Sequence, residues 1–207
     1  IPSSVKKMGD STFENCESLK KITILANLTK IGSKSFARCS NLSDILIPSS
    51  TKEIQDSAFC CCFSIKEIRI PSSVTVLGRN IFEGCSSLTK IEIPNSIKEI
   101  PDASFYSCSS LKEIELPDSI KFIGKNAFRA CSSLGKVVIP SSVVSIGENC
   151  FYSCLMIKKI FIPNSVESIG DNAFRMCSSL EEILIPSSLV DIGVDAFYGC
   201  FSKPKTY

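Results

Sequence analysis

The feature that most constrains the fold is a 23-residue pattern that repeats along the chain without insertion or deletion. Copies begin at residues 1, 24, 47, 70, 93, 116, 139, 162 and 185, so nine copies account for all 207 residues. The copy from 162 to 184 reads IPNSVESIGDNAFRMCSSLEEIL. A fixed period of about 20–29 residues built on aliphatic side chains is typical of a solenoid. We therefore predict a single domain, 1–207, in which each repeat buries its apolar face against its neighbours.

Three positions of the repeat predict its interior on one side. With positions counted from the first residue of each copy, position 13 is Phe and position 16 is Cys in all nine copies, and position 12 is mostly small. These positions share one face of a helix with 3.6 residues per turn, so the pattern predicts a short helix preceded by Gly at position 9. The phenylalanines are Phe13, Phe36, Phe59, Phe82, Phe105, Phe128, Phe151, Phe174 and Phe197.

The end of each repeat predicts a short strand. Leu180, Ile183 and Ile185 follow Leu-x-x-Ile-x-Ile, in which the last residues alternate with the period of two of a half-buried strand. Pro186 then ends the strand, because proline has no N–H to donate. The predicted fold class is α/β: a right-handed leucine-rich-repeat solenoid with a parallel sheet on its concave face and short helices on its convex face.

These residues resemble a particular class of leucine-rich repeat. The segment from Leu88 to Ile97 reads LTKIEIPNSI, and the segment from Leu134 to Cys154 continues the same pattern through Gly147 and Phe151. This pattern is similar to the BspA-like (Treponema pallidum-type) repeats, and the Cys-Ser-Ser-Leu sequence resembles the copies found in protists. The resemblance implies a cell-surface or secreted protein that adheres to host matrix proteins or to other cells. A cytoplasmic location stays open.

Both ends of the chain depart from the pattern. The Leu-x-x-Ile that precedes Ile1 in a complete repeat is missing, which predicts that the segment is cut from a longer chain or has lost a cap. The last repeat is atypical and C-terminal, because Cys200-Phe201-Ser202-Lys203-Pro204 replaces Cys-Ser-Ser-Leu. We expect Pro204 to prevent a further strand.

Composition argues against several functional classes. The chain has no His and no Trp, so neither Ser-His-Asp nor Cys-His catalysis is available. Metal-ligand spacing and phosphate-binding glycine loops are missing too, so we expect no enzyme, no cofactor and no metal. A net charge of +2 does not favour nucleic acid, and no apolar run reaches the roughly 18 residues of a transmembrane segment.

The twelve cysteines allow several interpretations. Nine occupy position 16, where we expect buried, reduced thiols that pack as small apolar groups. Cys60 and Cys61 fall at surface positions, where they are either reactive or cross-linking thiols or the result of drift at a tolerant site. Two sequons, at Asn27 and Asn41, are either glycosylated or chance matches.

The outward positions of the strands carry the candidate binding surface, which the fold places on the concave face. At position 23 lie Arg69, Glu92, Glu115, Val138, Phe161 and Leu184. The last three predict an apolar stripe across adjacent strands, rimmed by charges, as is typical of a protein interface. The alternative is that strand propensity alone favours such residues.

A second outward series lies at position 14, where Tyr106, Arg129, Tyr152, Arg175 and Tyr198 alternate. Stacked side chains would make cation–π contacts. Alternatively, the series is surface decoration copied by duplication of a two-repeat unit, since the first four repeats break the alternation.

The leading hypothesis is a non-enzymatic solenoid that binds a protein ligand, a host matrix or cell-surface protein by resemblance. One alternative is a structural protein that associates end to end through its open ends. The other is an intracellular scaffold, which free thiols would favour because oxidising compartments tend to pair cysteines.

Overall fold

The chain folds into an all-β solenoid. A computed structural model describes residues 1–207 and contains seventeen strands of two to four residues, all joined in parallel pairs. Each complete repeat forms one coil with three sides. Positions 21–23 contribute to one column of strands, the main sheet, and positions 7 and 8 to a second column, the side sheet. Positions 9–16 form a third side built of turns, the turn side.

The main sheet is the column of nine odd-numbered strands, which hydrogen bonds join in three pairs and one group of three, and the side sheet is a column of eight strands joined in groups of three and five. These strands are β1 (Lys21–Ile22), β3 (Asp44–Ile45), β5 (Glu67–Arg69), β7 (Lys90–Glu92), β9 (Glu113–Glu115), β11 (Lys136–Val138), β13 (Lys159–Phe161), β15 (Glu182–Ile185) and β17 (Lys205–Thr206). The side sheet contains β2 (Lys30–Ile31), β4 (Glu53–Ile54), β6 (Val76–Leu77), β8 (Glu99–Ile100), β10 (Phe122–Ile123), β12 (Ser145–Ile146), β14 (Ser168–Ile169) and β16 (Asp191–Ile192).

The register of the strands follows the repeat. Paired residues are one repeat apart, as in Phe122 with Ser145 and Phe161 with Leu184. Each position therefore stacks on the same position of the neighbouring repeat. Side chains alternate across the main sheet as expected, because the middle residue of a three-residue strand such as Glu113–Glu115 is buried while its neighbours are exposed.

The helices predicted for the convex face are absent, so the α/β class is wrong. The residues at positions 11 and 15 have positive φ in every repeat, for example 55° at Asn126 and 58° at Ala130. A right-handed helix needs negative φ throughout, so these residues interrupt it after every third residue. The chain instead forms overlapping four-residue turns, with N–H groups of positions 12, 14 and 16 bonded three residues back.

The remaining N–H groups of the turn side bond to the next repeat. Asn126, Phe128 and Ala130, at positions 11, 13 and 15, donate to the carbonyls of Glu148, Cys150 and Tyr152 at 2.8 Å. The same three bonds recur at each of the eight junctions between repeats. A helix would have used these N–H groups within one repeat, so the turns exchange local bonds for bonds that join neighbouring coils.

The interior is one continuous hydrophobic core of 54 buried residues. The phenylalanines of position 13 form a stack with ring centroids 5.1–5.7 Å apart and interplanar angles of 3–17°. This spacing lies within the range of favourable offset-stacked aromatic pairs. Positions 12, 13 and 16 therefore point inward as predicted, although turns and not a helix place them there.

The cysteines of position 16 are free and form a second interior series beside the phenylalanines. From the second repeat onward, each Sγ donates to the carbonyl oxygen of the position-13 Phe in the preceding repeat, at 3.0–3.2 Å. Seven of the nine are buried, whereas Cys16 in the first repeat is exposed and Cys200 in the last is partly buried. The thiol thus fills a small apolar space and also bonds a carbonyl.

Glycine occupies position 9 for a reason other than the helix start that the sequence suggested. No helix begins there, and what the position requires is close approach between coils. A Cβ atom on Gly78 would lie 2.2 Å from the backbone nitrogen of Asp56, and one on Gly193 would lie 2.3 Å from that of Asp171. Real Cβ atoms do not approach backbone so closely, so these glycines let neighbouring repeats touch.

A strand follows Pro204, contrary to the expectation that this proline would prevent one. β17 pairs with β15 through Leu184 with Lys205 and Ile185 with Thr206. The offset is 21 residues, two fewer than in the regular repeats, because the connection after Cys200 is shorter. Pro204 precedes the strand, a place where its missing N–H costs no ladder bond. The main sheet therefore continues past the last regular repeat.

Candidate functional site

The six predicted binding residues lie in a row on the outer surface of the main sheet. Each occupies position 23, at or next to the end of its strand, and the pairing brings neighbours in the series together. Arg69 is paired with Glu92, Glu115 with Val138, and Phe161 with Leu184. The repeat thus places Arg69, Glu92, Glu115, Val138, Phe161 and Leu184 side by side on consecutive strands, in the order that the sequence predicts.

The first half of this row is charged and exposed. Arg69, Glu92 and Glu115 point to solvent, and an ion pair of 3.8 Å joins Lys90 Nζ to Glu92 Oε1. Both partners of that pair are more than half exposed, so water and salt weaken it. Shallow depressions between the strands are lined by these carboxylates together with Lys90 and Glu113. The charges remain largely available to a partner.

The second half of the row is apolar. Val138 is 55% exposed and Phe161 is 47% exposed, while Leu184 beside them is partly buried. Burying such side chains in an interface would release about 25 cal/mol for each Å² of apolar surface removed from water. We call Val138, Phe161 and Leu184 the apolar stripe.

An aromatic residue that the repeat pattern did not reveal completes the stripe. Tyr207 follows β17, and its ring stacks on Phe161 with centroids 4.9 Å apart and an interplanar angle of 26°. Its hydroxyl donates to the carbonyl of Ile162 at 2.9 Å. Tyr207 therefore covers part of Phe161 and adds its own exposed edge to the surface. No sequence signal identified it, because residues 201–207 depart from the repeat pattern.

Basic residues flank the apolar stripe on the side where the strands begin. Lys112, Lys136 and Lys158 surround a cleft at Gly135, whose missing side chain opens the surface above Met156. Further along, Lys159 Nζ lies 2.9 Å from Glu182 Oε1. The main sheet thus combines an apolar centre with basic and acidic groups on either side.

The alternating Tyr and Arg residues of position 14 make the contacts that stacking would produce. The guanidinium carbon of Arg129 lies 4.8 Å from the ring centroid of Tyr152 and 5.7 Å from that of Tyr106. Arg175 lies 4.6 Å from the ring of Tyr198 and also pairs with Asp195. These distances fall within cation–π range. The contacts join neighbouring repeats on the turn side.

Burial accounts for the chemistry of the interior thiols. Removal from water raises the pKa of Cys39 to about 11 and that of Cys131 to about 12, because the low-dielectric interior disfavours the thiolate. Thiols held in this way are weak nucleophiles. No group of three or more His, Cys, Asp and Glu side chains is placed to hold a metal ion.

The two sequons differ in their surroundings. Asn27 is exposed, although the following residue, Leu28, is buried in the core. Asn41 is also exposed, but its Nδ2 donates to the carbonyl of Glu17 at 2.8 Å. The amide nitrogen that would carry a glycan is thus engaged at Asn41.

Comparison with known proteins identifies related solenoids. The family model of the BspA type leucine rich repeat region matches residues 1–89 and 77–203, in six copies. A leucine-rich repeat protein of T. pallidum is 30% identical, with a TM-score of 0.71 over 88% of this chain and 82% of that one. No curated protein sequence matches significantly.

Two further solved structures resemble the chain. A leucine rich cell surface protein from Faecalibacterium prausnitzii is 28% identical, with a TM-score of 0.64 over 96% of this chain. The present chain spans 62% of the length of that protein. The pneumococcal vaccine antigen PcpA, at 22% identity and a TM-score of 0.58, covers 93% of this chain and 57% of its own, and shares the fold. The structure contains no helix long and apolar enough to cross a membrane.

Proposed function

Because this chain belongs to the family of BspA type leucine rich repeats, whose solenoids serve as protein-binding scaffolds and not as enzymes, we propose that it binds a protein through its main sheet. The proposed role is adhesion at a cell surface, to a host matrix protein or to another cell. The observation that carries the proposal is the exposed apolar stripe next to Arg69, Glu92 and Glu115.

The stripe supports binding because its exposure is not required by the fold. Interior residues such as Phe128 and Ile160 bury the apolar surface that holds the repeats together, whereas Val138 and Phe161 stay half in water. A contiguous apolar patch rimmed by charge is the usual composition of an interface centre. Phe161, with Tyr207 stacked on it, is the side chain best suited to enter a pocket of the partner.

The charges favour a partner that carries both signs. Along the row, Arg69 is positive, Glu92 and Glu115 are negative and the stripe is apolar. Lys112, Lys136 and Lys158, which lie beside the row, are basic. A polyanion such as nucleic acid would meet repulsion from the two glutamates. A protein surface with a protruding apolar group and charges of both signs would not meet this repulsion. The surface location has support from the F. prausnitzii relative, which is described as a cell surface protein.

The test measures binding of the folded chain to a panel of immobilised extracellular-matrix proteins and to intact cells. Phe161→Ala is expected to weaken binding to any protein that the chain recognises by about 10-fold or more, as for the central side chain of an interface. Phe122→Ala is the matched control, because Phe122 is likewise a strand residue and 50% exposed, but lies on the side sheet. Equal loss in both variants, or none in either, would remove the stripe from the binding site.

Self-association is the second candidate function. The last strand of the side sheet, β16, has one edge without a neighbour, and around it Val190, Ile192 and Val194 are exposed. Such an edge can pair with a second copy. Light scattering at increasing protein concentration separates the candidates: assembly that Val194→Lys abolishes would favour this role, whereas a monomer at high concentration would count against it.

A further inference from the structure

The third repeat carries three consecutive cysteines that do not share one environment. Cys62 belongs to the interior series: it is buried, and its Sγ donates to the carbonyl of Phe36 at 3.0 Å. Cys60 and Cys61 are partly exposed on the turn side, and their sulfur atoms lie 3.6 Å apart. The repeat architecture does not account for this pair, and the protein-binding function proposed above does not use it.

The backbone holds the two sulfurs together. Cys60 and Cys61 are the central residues of the turn closed by Cys62 N–H and the carbonyl of Phe59 at 3.3 Å, with a φ of 57° at Cys61. Neighbouring coils hold the peptide group that links the two cysteines from both sides, since Cys61 N–H donates to the carbonyl of Glu83 and Arg38 N–H donates to the Cys60 carbonyl, both at 2.7 Å. The chain therefore meets little additional entropy cost when the two side chains react together.

The next repeat leaves the pair accessible. Position 15 carries Arg38 on one side of Cys61 and Gly84 on the other. A Cβ atom on Gly84 would lie 3.2 Å from Cys61 Sγ, so any other residue there would crowd the sulfur. Burial first, and then the neighbouring Cys61 thiol, raise the pKa of Cys60 to about 12. The part of this shift that comes from Cys61 is lost once Cys61 is in a mixed disulfide, so the Cys60 thiol then gives up its proton more readily. Cys61 Sγ is the sulfur that lies beside Gly84.

We propose that Cys60 and Cys61 are a vicinal dithiol that undergoes reversible exchange with small-molecule disulfides and closes to a Cys60–Cys61 disulfide. Cys61 Sγ attacks one sulfur of the disulfide RSSR, loses its proton to solvent, forms a mixed disulfide and releases one RS⁻, which takes up a proton. The sulfur of Cys60 then attacks Cys61 Sγ, loses its proton to solvent and releases the second RS⁻. Two thiols are oxidised, one RSSR is reduced to two RSH, and the sulfurs move from 3.6 Å to about 2.05 Å.

The test uses the folded, reduced chain in a Cys16→Ser background, in which Cys60, Cys61 and Cys200 are the thiols that are not buried. The chain is incubated with oxidised glutathione, and the peptides spanning residues 57–66 are analysed by mass spectrometry. The expected product has lost two hydrogens and carries no glutathione. Adding Cys60→Ser should stop the reaction at the first step, with one glutathione retained on Cys61 and released by a reducing agent.

The variants are expected to fold, because position 14, which Cys60 occupies, varies widely among the repeats, and Cys16 is exposed. A melting curve checks this for each protein. The proposal is overturned if the chain that retains Cys60 keeps a stable glutathione adduct on Cys61, since Cys60 then does not resolve it. Absence of any reaction at Cys61 in both proteins overturns it equally.

Discussion

The interior stack of phenylalanines and the outer row of position 23 repeat at the same spacing but obey different constraints. Inside, Phe128 meets Phe105 and Phe151 at 5.2 Å, and a change in one ring disturbs two neighbours. Outside, position 23 changes from Arg69 to Glu92 to Phe161 without any change in the strand pairing. The comparison teaches that the coil requires identical residues only where neighbours exclude water. The outer row is free to differ, so specificity for a partner belongs there.

The largest expected effect is on stability, and it separates the interior phenylalanine stack from the outer row. Phe128→Ala removes a fully buried ring from the middle of the stack and should lower the free energy of unfolding by about 3–5 kcal/mol. Phe161→Ala removes a ring that is half exposed and should cost less than about 1.5 kcal/mol. Urea unfolding of the two variants measures both. Similar losses would mean that the outer row is part of the structural core.

The next effect tests close contact between coils. A methyl group on Gly78 would lie 2.2 Å from the backbone nitrogen of Asp56, so Gly78→Ala should cost about 1–3 kcal/mol through backbone displacement. Gly135→Ala is the control, since its Cβ would meet nothing nearer than 3.6 Å on the outer surface. Thermal unfolding should show a lower Tm for the first variant only. A neutral Gly78→Ala would contradict close approach as the reason for glycine at position 9.

The interior thiols predict a specific loss of stability in alkali. Burial raises the pKa of Cys131 to about 12, above the unfolded value of about 8.5, so the unfolded chain releases this proton first. The contribution of such a thiol to the free energy of unfolding is complete below about pH 8.5. It declines as pH rises towards 12, by about 1.4 kcal/mol per pH unit for each thiol.

Cys131→Ser removes one of these ionisations and keeps a donor for the carbonyl of Phe105. Between pH 9 and 10.5, the free energy of unfolding should therefore fall less steeply for Cys131→Ser than for the unmodified chain. The two slopes should differ by about 1.4 kcal/mol per pH unit. Urea unfolding over this range gives the slope, and the exposed Cys16, changed to Ser, provides the comparison. Parallel curves for Cys131→Ser and the unmodified chain would refute the assignment.

The smallest effect concerns the end of the outer row. Tyr207→Ala removes the ring stacked on Phe161 and should cost about 0.5–1.5 kcal/mol, the range for an aromatic pair. Hydrogen exchange should show faster exchange at β15 and β17, with β9 and β11 unchanged. Tyr207→Phe keeps the stacked ring but removes the hydrogen bond to Ile162. Its exchange rates at β15 and β17 should therefore lie between those of the unmodified chain and those of Tyr207→Ala. Unchanged exchange in Tyr207→Ala would mean that the ring does not hold the last strand.

The sequence predicted the interior well because periodicity reports burial directly. Phe at position 13 and Cys at position 16 are in the core wherever two neighbouring repeats cover them. The family and the parallel strands also agree with the prediction. Residue spacing cannot distinguish a helix from overlapping turns, because both bring positions 12, 13 and 16 to one face. Asn80, Asn126, Asn149 and Asn172 at position 11 were a usable signal, since Asn is enriched at positive φ.

Other features depend on packing that no repeat position encodes. Tyr207 reaches Phe161 only because β17 joins the sheet with a shortened connection. The 3.6 Å approach of Cys60 and Cys61 follows from a turn whose conformation the sequence had assigned to a helix. The order of the outer row was predictable, whereas binding by Arg69, Glu92, Glu115, Val138, Phe161 and Leu184 stays a prediction.

The bonds between neighbouring turns give the turn side of the solenoid an electrical direction. On the turn side, every N–H of positions 11, 13 and 15 points towards the following repeat, at all eight junctions. Peptide dipoles aligned in this way add together, as they do along a helix. Their positive pole lies towards the later repeats, opposite to an α-helix, whose N–H groups point towards its beginning. An acidic group is therefore favoured beyond the final turns, and a carbonyl-rich surface is the natural neighbour at that end.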